Sequence, residues 1–78
     1  MQKYIEELDN GDGLLFDGQY YVLTSDYKAS GKRSCVNLFD GTNRWLDGDS
    51  IIEETQLFVM DKDNNLIAIK RTEKDDIS

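Results

Sequence analysis

Short segments rich in hydrophobic residues follow one another along most of this chain, and turn-forming polar residues and glycines separate them. The clearest signal is the run formed by residues 14–16, Asp17-Gly18 and residues 19–24. Asp-Gly predicts a two-residue hairpin turn there, because both residues tolerate positive backbone φ angles. Residues 33–39 and 44–46 flank a second tight turn. The pattern therefore predicts antiparallel strands joined by short turns.

Three further segments complete the pattern. Residues 2–8 fit either one or two helical turns or a short edge strand, since Ile5 and Leu8 are three positions apart. Residues 51–54 follow a segment rich in Asp and Ser that can cap a single helical turn. Residues 55–60 and 66–72 predict a last hairpin around the polar residues between them.

These elements predict one small, mainly β domain over residues 1–72, followed by a charged tail at 73–78 that we expect to fray. The expected architecture is a small antiparallel five-stranded meander or an SH3-like barrel, with a short N-terminal helix if residues 2–8 are helical. Because Asn37 is polar, Val36 and Leu38 on the other side of its strand are expected to point into the core.

The composition excludes several classes of chemistry. The 78-residue chain has no histidine, no proline and one cysteine. Without histidine there is no Ser-His-Asp triad and no His-ligated metal site, and Cys35 alone cannot form an internal disulfide. Residues 61–65 begin like a calcium loop, but Leu66 and Thr72 occupy its sixth and twelfth positions, so we interpret the segment as a β-turn. We expect no enzyme activity, no metal and no cofactor.

Hydrophobic runs bear on the location of the protein. The longest unbroken runs are residues 20–23, 57–60 and 66–69, whereas a membrane-spanning helix needs about 20 apolar residues. The first residues contain no apolar signal-peptide core. We therefore expect a cytoplasmic protein with no membrane partner.

Charge is high and unevenly distributed. Nine Lys or Arg against sixteen Asp or Glu give a net charge of −7. Residues 28–46 carry a local excess of positive charge between two acidic segments. The overall field disfavours direct binding of nucleic acid and favours a partner with a basic surface. It also raises an alternative, a nucleic-acid mimic that blocks a DNA- or RNA-binding protein, for which the clusters Asp47, Asp49 and Glu53, Glu54 are suggestive.

Aromatic residues give the strongest indication of a binding surface. Eight of them are present, more than a small core holds, and Trp, Tyr and Arg dominate interface hot spots. Tyr20 and Tyr21 are adjacent in a strand and must face opposite sides. Trp45 is either a core anchor or a partly exposed interface residue. The candidate partner-binding residues are Trp45, Arg44, Tyr27, Tyr21, Asp47, Asp49, Glu53 and Glu54.

The first hypothesis is therefore a non-enzymatic regulator or inhibitor that binds one protein partner through an aromatic and acidic face or a strand edge. This hypothesis rests on an analogy with the small acidic proteins that phages use against host proteins. The alternatives are the nucleic-acid mimic and an assembly subunit that forms a homo-oligomer.

Overall fold

The computed structural model describes residues 1–69, which form strands and one short 3₁₀ turn. The turn is Ile5–Glu7. The strands are β1 Gln2–Tyr4, β2 Gly13–Phe16, β3 Gln19–Tyr27, β4 Lys32–Asn37, β5 Asn43–Asp47, β6 Ile51–Thr55, β7 Phe58–Met60 and β8 Leu66–Ala68. The prediction of a mainly β fold is confirmed. The predicted charged tail and the end of the last predicted strand lie outside the described residues.

The strands form two antiparallel sheets of very different size. Six strands, in the order β1-β6-β2-β3-β4-β5, form the sheet that we call the body, residues 1–55. β7 and β8 pair with each other in a separate sheet that we call the arm, residues 58–68. The predicted count of five strands is wrong. β2 to β5 do form a meander, but β6 then returns to lie between β2 and β1.

The body is strongly curved without being a closed barrel. β5 and β6 are four strand positions apart, about 19 Å in a flat sheet. The link between them, residues 48–50, lets their ends be at most about 14 Å apart. The sheet must therefore curl. Within residues 1–69 no strand pairing joins β1 to β5, so the prediction of a closed SH3-like barrel is wrong.

The 3₁₀ turn after β1 bridges the two ends of this curled sheet. The Ile5 N–H donates to the Ser50 carbonyl at 3.0 Å, and the Glu6 N–H donates to the Gly48 carbonyl at 2.9 Å. Because these bonds fix the chain directly after β1, the segment forms a strand and one turn. The edge-strand alternative for residues 2–8 is confirmed for Gln2–Tyr4, and of the one or two helical turns predicted as the other alternative only the 3₁₀ turn Ile5–Glu7 is present.

The hairpin between β2 and β3 forms as predicted. Asp17 and Gly18 both have positive φ angles, 55° and 78°, as a two-residue hairpin turn requires. The register pairs Leu14 with Tyr21, so these side chains lie on the same face of the sheet. Tyr20, the neighbour of Tyr21, accordingly faces the other way and is exposed.

The core occupies one side of the body, which we call the inner face. Side chains from alternate positions of five strands meet there, and two more from the segment after β1 cover them. The buried residues are Ile5, Leu8, Leu14, Tyr21, Leu23, Cys35, Leu46 and Ile52. The opposite, outer face carries no equivalent layer.

The inward-facing residues of β4 are the reverse of those predicted. Cys35 and Asn37 are buried on the inner face, whereas Val36 is half-buried on the outer face and Leu38 beyond the strand is exposed. A polar residue in a strand is thus a poor guide to the outward direction when it has local hydrogen-bond partners.

Asn37 has such partners. Its amide Nδ2 donates to Gln19 Oε1 at 2.8 Å. Its Oδ1 accepts from the backbone N–H groups of Phe39 at 2.7 Å and Asp40 at 3.3 Å. Because these bonds satisfy the buried amide and shape the turn after β4, burial of Asn37 costs little.

The predicted helical turn at residues 51–54 is also wrong, because this segment is β6. Its backbone pairs with β1 on one side and β2 on the other. Strand pairing on both sides outweighs the local capping signal, as tertiary context commonly does. The last predicted hairpin is present as the arm, shorter than expected, with Thr55 belonging to β6.

Candidate protein-binding surfaces

Trp45 lies on the outer face of β5 and is partly exposed, at 37%. It stands opposite Ser34 of β4, which is fully buried. The Lys28 ammonium lies 4.6 Å from the centre of the Trp45 ring, within the range of a cation–π interaction. Trp45 is therefore an ordered surface aromatic and is not part of the buried core.

β5 is an edge strand of the body. It pairs with β4 on one side, and within residues 1–69 no strand pairs with its other side. An edge of this kind presents unpaired backbone N–H and C=O groups that can bind an extended segment of another protein. Trp45 lies at the middle of this edge.

Arg44 and Tyr21 support β5 from the other face. Arg44 Nη1 donates to the Tyr21 hydroxyl at 3.0 Å and lies 3.7 Å from an Asp17 carboxylate oxygen. The Arg44 guanidinium also lies 5.0 Å from the centre of the Phe16 ring. Tyr21 is buried, so it belongs to the core and offers no surface to a partner.

Tyr27 lies at the end of β3 and is among the most exposed aromatic residues. It pairs with Arg33 after an irregularity in the β3–β4 register. Lys28, which contacts the Trp45 ring, follows Tyr27 directly. Tyr27, Lys28 and Trp45 thus belong to one corner of the body.

The predicted acidic residues are not assembled into one row. Asp47 forms an ion pair with Lys32 at 2.8 Å. Glu53 pairs with the amino group of Met1 at 2.7 Å, and Glu54 pairs with Lys3 at 2.8 Å. Because they are adjacent in β6, Glu53 and Glu54 point to opposite faces of the sheet.

These pairs place a cation beside each of three predicted carboxylates. The hydrogen bond and charge of Glu54 in turn raise the pKa of the Lys3 ammonium. Asp49, the remaining acidic candidate, lies in the link between β5 and β6 and is exposed. Of the predicted residues, Arg44, Trp45 and Asp47 lie on β5, Tyr27 lies at the end of β3 across β4 from it, and Glu53 and Glu54 lie on β6.

An exposed apolar surface on the arm was not predicted as a site. Phe58, Val59, Met60, Leu66 and Ile67 of the arm are all between 47% and 67% exposed. The signal was present in the sequence as the unbroken apolar runs at 57–60 and 66–69. Such runs are typical of strands that are covered on both faces.

A shallow groove of about 500 Å³ adjoins the arm. Its apolar lining comes from Tyr20, Leu38, Phe39 and Leu57, and Phe39 is 91% exposed. Leu57 connects the groove to the arm, since it precedes β7 and its carbonyl accepts the Ile69 N–H at 2.8 Å. None of the residues of the described chain that line the groove is charged.

The cysteine has the environment of a structural residue. Cys35 is fully buried, and this burial raises the pKa of its thiol to about 11. A thiol with that pKa is almost entirely protonated near pH 7 and is a poor nucleophile. Within residues 1–69 no three His, Cys, Asp or Glu side chains are grouped to hold a metal ion.

In residues 1–69 no helix has the length and apolar character needed to cross a membrane. Comparisons with known proteins found no matching family model, no matching curated protein and no matching solved structure.

Proposed function

We propose that the protein is a non-enzymatic interaction module that binds one protein partner at the β5 edge, with Trp45 as its anchor. The observation that carries the proposal is a partly exposed tryptophan at the middle of an edge strand whose outer side is unpaired within the described residues. Strand addition supplies main-chain hydrogen bonds, and a nearby aromatic side chain supplies burial and specificity.

The side-chain contacts of β5 support this proposal. Arg44 is held by the Tyr21 hydroxyl on the inner face, and Asp47 is paired with Lys32. A preorganised edge loses less conformational entropy on binding than a mobile one. Arg44 is thus a positioning residue for the edge, and Tyr21 contributes through Arg44 and the core.

The expected partner supplies an extended segment that pairs with β5. The net charge of −7 favours the approach of a partner with a basic surface, but the corner around Trp45 is locally positive, because Lys28 and Arg44 lie there. The lone thiol, unpaired and buried, supports a reducing compartment such as the cytoplasm. A regulator or inhibitor, such as a phage protein directed at a host protein, fits this description by analogy.

The alternative of nucleic-acid mimicry has less support. A mimic needs unneutralised carboxylates spaced along one face, as phosphates are spaced along a strand. Asp47, Glu53 and Glu54 each have a cation partner, and two of them face opposite ways.

The experiment is capture of partners from the native host lysate on the immobilised protein, washed in salt steps and identified by mass spectrometry. We expect one protein in stoichiometric amount that survives about 0.5 M salt, where the Debye length is only ~4 Å. Trp45→Ala is expected to weaken that interaction at least ~30-fold, as hot-spot truncation does.

Tyr4→Ala is the matched control, because Tyr4 is an exposed aromatic on β1, at the other edge of the same sheet. It should retain the partner. Retention by Trp45→Ala at full affinity would contradict the proposed site. Release of many nucleic-acid-binding proteins together at moderate salt would favour the mimic instead.

A further inference from the structure

The arm is a two-stranded hairpin with no core of its own. Every residue of β7 and β8 is apolar, and the register places Phe58 opposite Ala68, Val59 opposite Ile67 and Met60 opposite Leu66. Because side chains alternate along each strand, apolar groups project from both faces of the hairpin. An isolated two-stranded hairpin is at best marginally stable in water, so both faces of the arm require cover.

The body supplies little of that cover. Within residues 1–69, neither β7 nor β8 pairs with a strand of the body, and none of their residues is buried. The arm is therefore an exposed ridge, and the groove lined by Tyr20, Leu38, Phe39 and Leu57 lies beside its base.

The exposed apolar area of arm and groove matches one side of a stable interface. The side chains concerned are Tyr20, Leu38, Phe39, Phe58, Val59, Met60, Leu66 and Ile67. An aromatic side chain covers about 150–250 Å² and an aliphatic one about 60–120 Å². Weighted by exposure, the eight side chains present on the order of 450–800 Å², against the ~800 Å² that each partner contributes to a standard interface.

We propose that this surface is covered by a second copy of the same chain, with the arm of each copy seated in the groove of the other. Ridge and groove are adjacent on one chain, so a two-fold axis between them makes the same contact twice. Among residues 1–69, β7, β8 and the lining of the groove carry no charge, so two copies can associate through these residues without burying one of their carboxylates. The interface uses neither Trp45 nor the outer side of β5, and it goes beyond the proposed function.

The test is the molar mass of the full chain, measured by sedimentation equilibrium from about 1 to 200 µM. We expect a concentration-dependent change from 9.0 kDa to twice that value. Phe58→Lys should raise the dimer dissociation constant at least ~30-fold. Ile51→Lys is the matched control, because Ile51 is 58% exposed and Phe58 is 57% exposed, and both changes add one positive charge. Ile51→Lys should leave the dissociation constant within about twofold of the original.

A second variant distinguishes exchange of arm and groove from simple stacking of two arms. Phe39→Glu changes the groove at a fully exposed turn, where it does not threaten the fold. Phe58→Lys and Phe39→Glu should each be monomeric alone, and an equimolar mixture should form dimers. In the mixed dimer one arm–groove contact is intact and the other pairs Lys with Glu. The proposal is overturned if the original chain stays at 9.0 kDa, if Phe58→Lys dimerises normally, or if the mixture remains monomeric.

Discussion

The body and the arm are both antiparallel β structure with well-formed turns, yet only the body has an interior. In β3 the inward Tyr21 and Leu23 are buried, while the flanking positions are half-buried or exposed. In the arm every strand position is apolar and none is buried. β3 also contains an unbroken apolar run, residues 20–23, so such a run does not by itself distinguish the two regions. The difference is tertiary: β3 has a neighbouring strand on each side and a core on one face, whereas within residues 1–69 each strand of the arm pairs only with the other.

The largest expected effect is a difference in unfolding free energy between a variant of the body and a variant of the arm. Leu23→Ala in the body should lower the free energy of unfolding by about 2–5 kcal/mol, because Leu23 is fully buried and a cavity would remain. Leu66→Ala in the arm should change it by less than ~0.5 kcal/mol, because Leu66 is largely exposed in the single chain. Urea denaturation at about 1 µM chain, where self-association contributes least, measures both.

Equal losses in the two variants would show that the arm belongs to the cooperative unit of the body. A loss of several kcal/mol for Leu23→Ala alone is the expected outcome, because Leu66 has little contact to lose in the single chain.

A change at Gly13, where β2 of the body contacts Leu57 at the base of the arm, should have an intermediate effect on stability. A Cβ on Gly13 would lie 2.5 Å from Leu57 Cδ1 and 2.6 Å from the Thr55 carbonyl oxygen, too close for ordinary packing. Gly13→Ala should therefore cost about 1–3 kcal/mol of unfolding free energy and displace Leu57 from β2. The double variant Gly13→Ala/Leu57→Ala should recover part of that loss. The two denaturation curves measure the effect, and complete recovery would show that the backbone contact is unimportant.

The smallest expected effect concerns the turn of the arm. Asp61 Oδ1 accepts N–H bonds from Asn65 at 2.9 Å and Asp63 at 2.8 Å. These bonds, those from Asn65 most strongly, hold the pKa of Asp61 below its usual 3.8. Since the pKa is lower folded than unfolded, the stabilisation is complete well above pH 3.8 and is lost as pH falls through the folded pKa.

Amide exchange of Asn65 should therefore accelerate as pH falls below about 3.8, relative to exchange in an unstructured peptide. Asp61→Asn is the control, because its amide does not titrate in this range and should remove the pH-dependent step. In the body, Asp40 has its pKa lowered in the same way by Thr42. Its turn is also held by Asn37, so it should open less. Equal opening of the two turns would contradict the contrast between arm and body.

Local chemistry made much of this fold predictable from the sequence. The Asp17-Gly18 hairpin was predicted because its turn requires two residues with positive φ, and Asp-Gly is a pair that tolerates such angles. The predictions failed where contacts with residues distant in the sequence determine the local structure. β6 is a strand because β1 and β2 flank it, and Asn37 points inward because Gln19 and the following turn satisfy its amide.

The candidate surfaces, too, could be predicted from the sequence only in part. The partial exposure of Trp45 was one of two open alternatives, since a tryptophan between acidic turns fits either a core or a surface. Tyr21 was chosen for its residue type, but pairing with Leu14 places it in the core. The arm was visible as two apolar runs, but its isolation from the body depends on tertiary structure.

The position of β6 between β1 and β2 has a consequence for the order of folding. β2, β3, β4 and β5 are joined by short turns and can pair in sequence with small loop-closure costs. β1 pairs with no strand other than β6 within the described chain, so it cannot dock before residues 51–55 are in place. Ile5 and Leu8, which follow β1, then close the core. We therefore expect the first residues of the chain to be the last to become structured, with the meander as the folding nucleus.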